Sequence, residues 1–90
     1  MIRGKSVRSI VWDIAEGYVT VNPLFLKPLD SDVIKQLYKE IQRAQNEIRG
    51  EKFPYNDIQA IRYRNMRLQR LNSALMIIRN YLKQRKIIIV

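Results

Sequence analysis

Ninety residues, 47% hydrophobic and 28% charged, make one domain with a modest core, too apolar and too periodic to be disordered. Cysteine and histidine are both absent, which excludes a disulfide framework, a thiolate zinc site, a cysteine nucleophile and a histidine general base. Lys and Arg number 17 against 8 Asp and Glu, a formal +9, and from Ile58 onward there is no acidic residue at all.

Along the N-terminal third, Val7, Ile10, Val11 and Ile14 recur at helical spacing, with Ser6 as a cap and Gly17 as a stop, which predicts a short helix. The β-branched content equally permits a hairpin turning through Glu16-Gly17, and Tyr18-Val19-Thr20-Val21 reads as a minor extended element. Asn22-Pro23 and Lys27-Pro28 punctuate a loop expected to press Leu24, Phe25 and Leu26 onto the helices that follow. Trp12, the single Trp, is expected to pack there too; its alternatives are an interface anchor or a stacking platform for a base. Asp13 and Glu16 break the apolar stretch behind the basic start, so no signal peptide is expected. No segment approaches the length of a bilayer span, and the expectation is a soluble cytoplasmic protein.

After Pro28, Asp30 or Ser31 can cap a helix over about 31–49 with apolar positions Ile34, Leu37, Ile41, Ala44 and Ile48 on one face. Gly50 is the expected left-handed stop. The short connection Glu51–Pro54 predicts that the next helix folds back antiparallel. That helix, about 57–86, is expected to start at an Asn56 cap with Gln59 at capping-box spacing. The fold class is mainly α: an antiparallel helical hairpin carrying a short N-terminal helix or hairpin.

The long helix has two apolar stripes where a surface helix has one. Ile61, Leu68, Leu71, Leu75, Ile78 and Leu82 form a seam. On the other side Tyr63, Met66, Ala74, Ile77 and Tyr81 form a second, with Arg70 in its middle. Either the N-terminal segment covers this second stripe or part of it is a docking face. The protein-binding candidates are therefore Tyr63, Met66, Ile77 and Tyr81, joined by the apolar tail Ile87, Ile88, Ile89 and Val90. The tail is expected to pair with Tyr18–Val21 as a strand or to hook onto a partner. Gln84 and Ile87 have the spacing of a sliding-clamp peptide but lack its aromatic pair.

No enzyme signature is present. Gly4, Gly17 and Gly50 are isolated and make no phosphate loop. Asp30 and Asp32 suit helix capping, and Asp13 with Glu16 lacks the further ligand a metal site needs. No catalytic residue, metal or cofactor is expected. The strongest signal is the acid-free basic array, for which Arg62, Arg67, Arg70, Arg79, Lys83, Arg85 and Lys86 are the nucleic-acid-binding candidates. Charge kept for solubility is interspersed, whereas charge this segregated is the footprint of a polyanion partner. Glu partners at i,i+4, which balance an ordinary solvated face, are missing. On a helical wheel Arg79, Lys83 and Lys86 share one direction, Arg67 and Arg85 another, and Arg62 and Arg70 point elsewhere. That spread fits phosphate contacts made from several sides, or basic residues divided between nucleic acid and an acidic protein partner; the expectation is contact with DNA mostly through the phosphate backbone and little base readout.

Lys35-Gln36-Leu37-Tyr38-Lys39-Glu40-Ile41, the Gly50–Pro54 turn and the basic helix Arg62–Lys86 together resemble the small basic helical accessory subunit of the crenarchaeal family-B replicative DNA polymerase. The Ile-rich, Cys-free composition is compatible with such a thermophilic source. The resemblance implies a non-catalytic protein that binds the polymerase catalytic subunit and supports synthesis near the DNA. The Arg-rich second helix is also similar to the helical-hairpin protein of the large ribosomal subunit, which implies an RNA-contacting structural role. A protein–protein module whose charge meets an acidic partner is the third expectation.

Overall fold

The computed structural model describes Ile2 and residues 4–87. The described residues form four helices, α1 (Val7–Ala15), α2 (Pro23–Leu26), α3 (Ser31–Gly50) and α4 (Ile58–Gln84), and no strand. The helical reading of the N-terminal third is the correct one, and local chemistry explains it. The Ser6 hydroxyl accepts the Ser9 amide at the start of α1. At its end Gly17, at φ +83°, allows the Gly17 and Tyr18 amides to return to the Ile14 and Asp13 carbonyls, a left-handed helix stop.

Tyr18–Val21 forms no strand. The Tyr18 and Val19 amides both bond to the Asp13 carbonyl and Val21 drops into the core, so the segment completes the helix end instead of extending. The expected pairing with Ile88–Val90 lies outside the described residues. The Pro-punctuated loop contains α2, capped by the Asn22 side chain, which accepts the Phe25 amide at 2.8 Å. It buries Phe25 and Leu26 but leaves Leu24 80% exposed, because one turn of helix cannot turn three consecutive side chains the same way.

Asp30 caps α3 by accepting the Val33 amide at 2.9 Å, and Ile34, Leu37, Ile41, Ala44 and Ile48 are buried as their spacing predicts. Gly50 is not the left-handed stop. It remains helical, and Glu51 ends α3 in an extended conformation. The cap of α4 is Asp57 rather than Asn56, its carboxylate accepting the Ala60 amide at 3.0 Å. At the far end α4 stops at Gln84, short of Lys86, because Lys86 itself takes the left-handed conformation at φ +56°. The Lys86 and Ile87 amides then bond to the Lys83 and Leu82 carbonyls, and Ile87 packs against the core.

Helices α3 and α4 are antiparallel, held in register by Arg79 donating to the Tyr38 hydroxyl at 2.9 Å and by Arg67 with Glu51 at 3.5 Å. Helix α1 packs on both, and α2 on α4. Leu71, Leu75, Ile78 and Leu82 of α4 merge with the buried faces of α1 and α3 into one core. The second stripe divides: α1 and α2 bury Ala74 and Tyr81, while Tyr63 and Met66 stay exposed at 44% and 45%. No residue of α4 before Leu71 is buried. Its first turns run past the body of the hairpin, tied down by Arg64 over the Phe53 ring and by Tyr63 donating to Glu16. No helix among the described residues is long and apolar enough to cross a membrane.

Candidate nucleic-acid interface and an adjoining cleft

The fold sorts charge by flank. On α3, Glu40 and Glu47 are seven residues apart and so share a face, the one turned toward α1, where Glu47 meets Arg8 at 2.9 Å. The opposite flank steps Asp32, Lys35, Lys39, Gln42, Asn46, Arg49 by three and four residues and carries a single acid, Asp32, at its start. On α4 the stripe Asn72, Met76, Arg79, Lys83 has the same stepping without acid, and Lys86 follows it just past the helix end. The Tyr38–Arg79 hydrogen bond places both stripes on one side of the hairpin. In that register Lys35 lies level with Leu82 and Lys83, so Lys35, Lys39, Arg79, Lys83 and Lys86 cluster at one end.

The carboxylates are consumed elsewhere. Asp13 pairs with Lys5 at 2.9 Å, Glu40 with Arg43 at 3.1 Å and Glu51 with Arg67 at 3.5 Å. Asp30 and Asp57 cap helices, and Glu16 accepts the Tyr63 hydroxyl. Asp32, in the first turn of α3, is the one carboxylate without a side-chain or cap partner among the described residues. It stands one turn before Lys35 on the same flank, so the α3/α4 face keeps an excess of positive charge with one carboxylate at its edge.

Of the seven basic candidates, helix geometry puts Arg79 and Lys83 on this face, Lys86 lies just past the end of α4 beside them in sequence, and the other four are off it. Arg67 is only 12% exposed, with its guanidinium 4.4 Å from the Tyr63 ring centroid and paired to Glu51. Arg70 is turned toward α1 and donates to the Ala15 carbonyl at 3.1 Å, so it caps the end of that helix. Arg85 lies 3.6 Å from the centroid of Tyr81, on the side away from Arg79. Arg62 is exposed near the α4 start, remote from the cluster. Sequence reading missed Lys35, Lys39 and Arg49, because Asp32, Glu40 and Glu47 make α3 look balanced until its residues are sorted by face. Their three-and-four stepping along one flank, with Asp32 alone at its start, is the signal that finds them.

Behind α4, the end of α1 and the segment after it leave a cleft of about 430 Å³ walled by Ile14, Val19, Val21, Met66 and Ile77, with Arg70 on its floor. Two protein-binding candidates, Met66 and Ile77, line it, and Tyr63 stands beside it, bonded to Glu16. The Tyr63 phenol is held above its ordinary value of 10.0 chiefly by that hydrogen bond; slight burial and the Glu16 charge add to the shift and Arg67 opposes it. Tyr81 does not join them. It is buried, because α1 and α2 cover its part of the stripe, and its open face carries Arg85. Ile87 packs on the chain's own core, and Ile88, Ile89 and Val90 lie outside the described residues. No group of three or more acidic, His or Cys side chains able to hold a metal occurs among the described residues. No protein-family model, no curated protein and no solved structure matches the chain.

Proposed function

We propose that this chain is a non-catalytic accessory protein that holds a nucleic-acid phosphate backbone on the α3/α4 face while the opposite side serves a protein partner. The observation that carries the reading is the flank-by-flank separation of charge. Lys35, Lys39, Arg79 and Lys83 stand together with Lys86 just past the end of α4, against the single carboxylate of Asp32 at the edge of the face, while every other acid is tied up in a cap, a hydrogen bond or an ion pair. Cations that so outnumber their counter-charges attract a condensed line of phosphates and gain by releasing its counterions. The cleft lined by Met66 and Ile77 supports the second half of the reading, since Met and aromatic side chains are enriched in interfaces. The resemblance to the accessory subunit of the crenarchaeal polymerase makes a family-B catalytic subunit the first partner to assay, in a replication complex on DNA.

The deciding experiment replaces Arg79, Lys83 and Lys86 together by Glu and measures affinity for mixed-sequence DNA over a salt series. None of the three occupies the buried seam, but Arg79 also bonds Tyr38, so the helical spectrum is checked first and the Lys83, Lys86 double variant, which spares that bond, should by itself flatten the slope by about 1.8. Losing three phosphate contacts should flatten the salt slope by about 2.7 and weaken binding alike on every sequence. Unchanged affinity in the folded variant refutes the phosphate face and leaves a module for an acidic protein. Co-purification from nuclease-treated extract separates the partner classes: a polymerase favours the replication role, and ribosomal subunits favour an RNA-contacting one.

A further inference from the structure

We infer that the polyanion held by the α3/α4 face is double-stranded, each row of cations meeting the phosphates of one strand. The inference rests on the phosphate-binding reading above and follows from two separate features of the face. The first is that its cations stand in two rows. Arg79 and Lys83 extend over about 6 Å of α4, with Lys86 just past its end, and Lys35 with Lys39 over about 6 Å of α3. The axes of packed helices lie roughly 8–10 Å apart. A single strand follows one row and leaves the other without phosphates. A duplex offers two phosphate lines across its minor groove, about 6 Å wide in B-form DNA, and long side chains from both rows reach them together.

The second feature is what the face lacks. Proteins that hold single strands pair a basic track with exposed aromatic rings on which bases stack. At the edge of this face Tyr38 is buried with its hydroxyl already bonded to Arg79, and Tyr81 is buried on the other side of α4. Tyr18 is 80% exposed, but it follows Gly17 on the cleft side, where Tyr63 also stands. Phe53 and Tyr55 pack on each other in the connection at the far end of the hairpin. The stripes present Gln42, Asn72 and Met76 between their charges, none of which has a ring. The face can neutralise phosphates but gives unpaired bases nothing to stack on.

The test is a fluorescence-anisotropy titration of the full chain with duplex DNA, duplex RNA and single strands of equal length and matched composition, each over a salt series. With all five cations engaged, the duplex slope of log affinity against log salt should be about −4.5; a single strand on the three-cation row should give about −2. If the two lines converge near 1 M salt, the duplex binds roughly three hundredfold tighter at about 0.1 M. The two duplex arms show whether DNA or RNA is the better source of the paired backbone, and tighter binding to either one than to single strands supports the inference. Replacing Lys35 and Lys39 by Gln should flatten the duplex slope by about 1.8 and leave the single-strand slope unchanged. Single strands binding as tightly as duplexes, or that variant flattening both slopes equally, overturns the two-strand inference while the phosphate reading stands. Binding to none of the probes overturns the phosphate reading and this inference with it.

Discussion

Replacing Gly17 by Ala tests how the basic array is divided between structure and surface. Gly17 sits at φ +83°, where a Cβ meets the following carbonyl at a cost of about 1–2 kcal/mol. The added Cβ would also lie 2.9 Å from the Arg70 Cζ and 3.1 Å from its Nη2. That guanidinium ends a flexible chain and can retreat, but only by giving up the 3.1 Å hydrogen bond to the Ala15 carbonyl. A bond of this kind contributes about 1 kcal/mol net. Gly17→Ala should therefore cost about 2–3 kcal/mol, and Arg70→Met alone about 1 kcal/mol. Once Arg70 is gone only the backbone cost remains, so the double variant should be more stable than the sum of the single effects by about 1 kcal/mol. Urea unfolding followed by Trp12 fluorescence and helical circular dichroism measures all four proteins. At about 1 kcal/mol per molar urea the single Gly17 change lowers the midpoint by about 2 M. A neutral Gly17→Ala would refute the left-handed helix stop. Strict additivity within about 0.3–0.5 kcal/mol would refute the contact with Arg70. In the same series Arg70→Met should leave nucleic-acid affinity and its salt slope unchanged, because this side chain serves α1.

Asp57→Ala should cost about 1 kcal/mol of stability and Asn56→Ala less than about 0.5 kcal/mol, since Asp57 accepts the Ala60 amide; equal losses in urea unfolding would contradict the cap assignment. Lys86→Gly should stabilise the fold by about 0.5–1 kcal/mol by relieving φ +56°, while flattening the duplex salt slope by about 0.9; loss of stability would count against the left-handed stop there. The Tyr63 phenol is raised above 10.0 by its hydrogen bond to Glu16, so the stability it adds is fully present below pH 10.0 and is lost as pH climbs through the raised value. Wild type should accordingly lose its advantage over Tyr63→Phe only on the alkaline side of pH 10.0, and an advantage unchanged there would remove the Glu16 bond from the account.

The helices were legible wherever periodicity and capping chemistry agreed. The spacing from Ile34 to Ile48 and from Leu71 to Leu82 returns as buried faces, and Asp30 caps as its position predicts. The helix stops were misread because the glycine signal is only a preference. Gly50 had no need of a positive φ, whereas Lys86 takes one because Ile87 gains by folding back onto the core. The extended reading of Tyr18–Val21 followed its β-branched side chains, but a strand requires a partner and the Asp13 carbonyl offered the amides a nearer one. The site was half legible for a comparable reason. The charge of α4 stood out because no acid accompanies it, yet which arginines are spent on α1, on Glu51 or on aromatic rings is settled only by packing.

That division of labour follows from the difference between the two cations. Arginine's planar fork serves as a structural joint: Arg8 on Glu47, Arg67 on Glu51 and Tyr63, Arg70 on the Ala15 carbonyl, Arg79 on the Tyr38 hydroxyl, Arg85 on Tyr81. Among the described residues the lysines, apart from Lys5, have no such partner, as suits a compact ammonium ion that prefers to stay hydrated. The clustered end of the face is consequently mostly lysine, and its one arginine, Arg79, is already bonded. Reading guanine through a fork takes two free parallel donors held against one base edge. Arg49 has no partner among the described residues, but it lies about 15 Å beyond Lys39 along α3 and apart from the cluster. Point charges on flexible stems tolerate phosphates at many positions and distinguish none of the bases behind them. On the proposed phosphate-binding reading, the sequence tolerance of this face is set by which cations the fold left unspent, and exchanging Lys83 and Lys86 for Arg should supply forks that create a preference for guanine-rich sites; unchanged relative affinity for guanine-rich and mixed-sequence duplexes would refute that account.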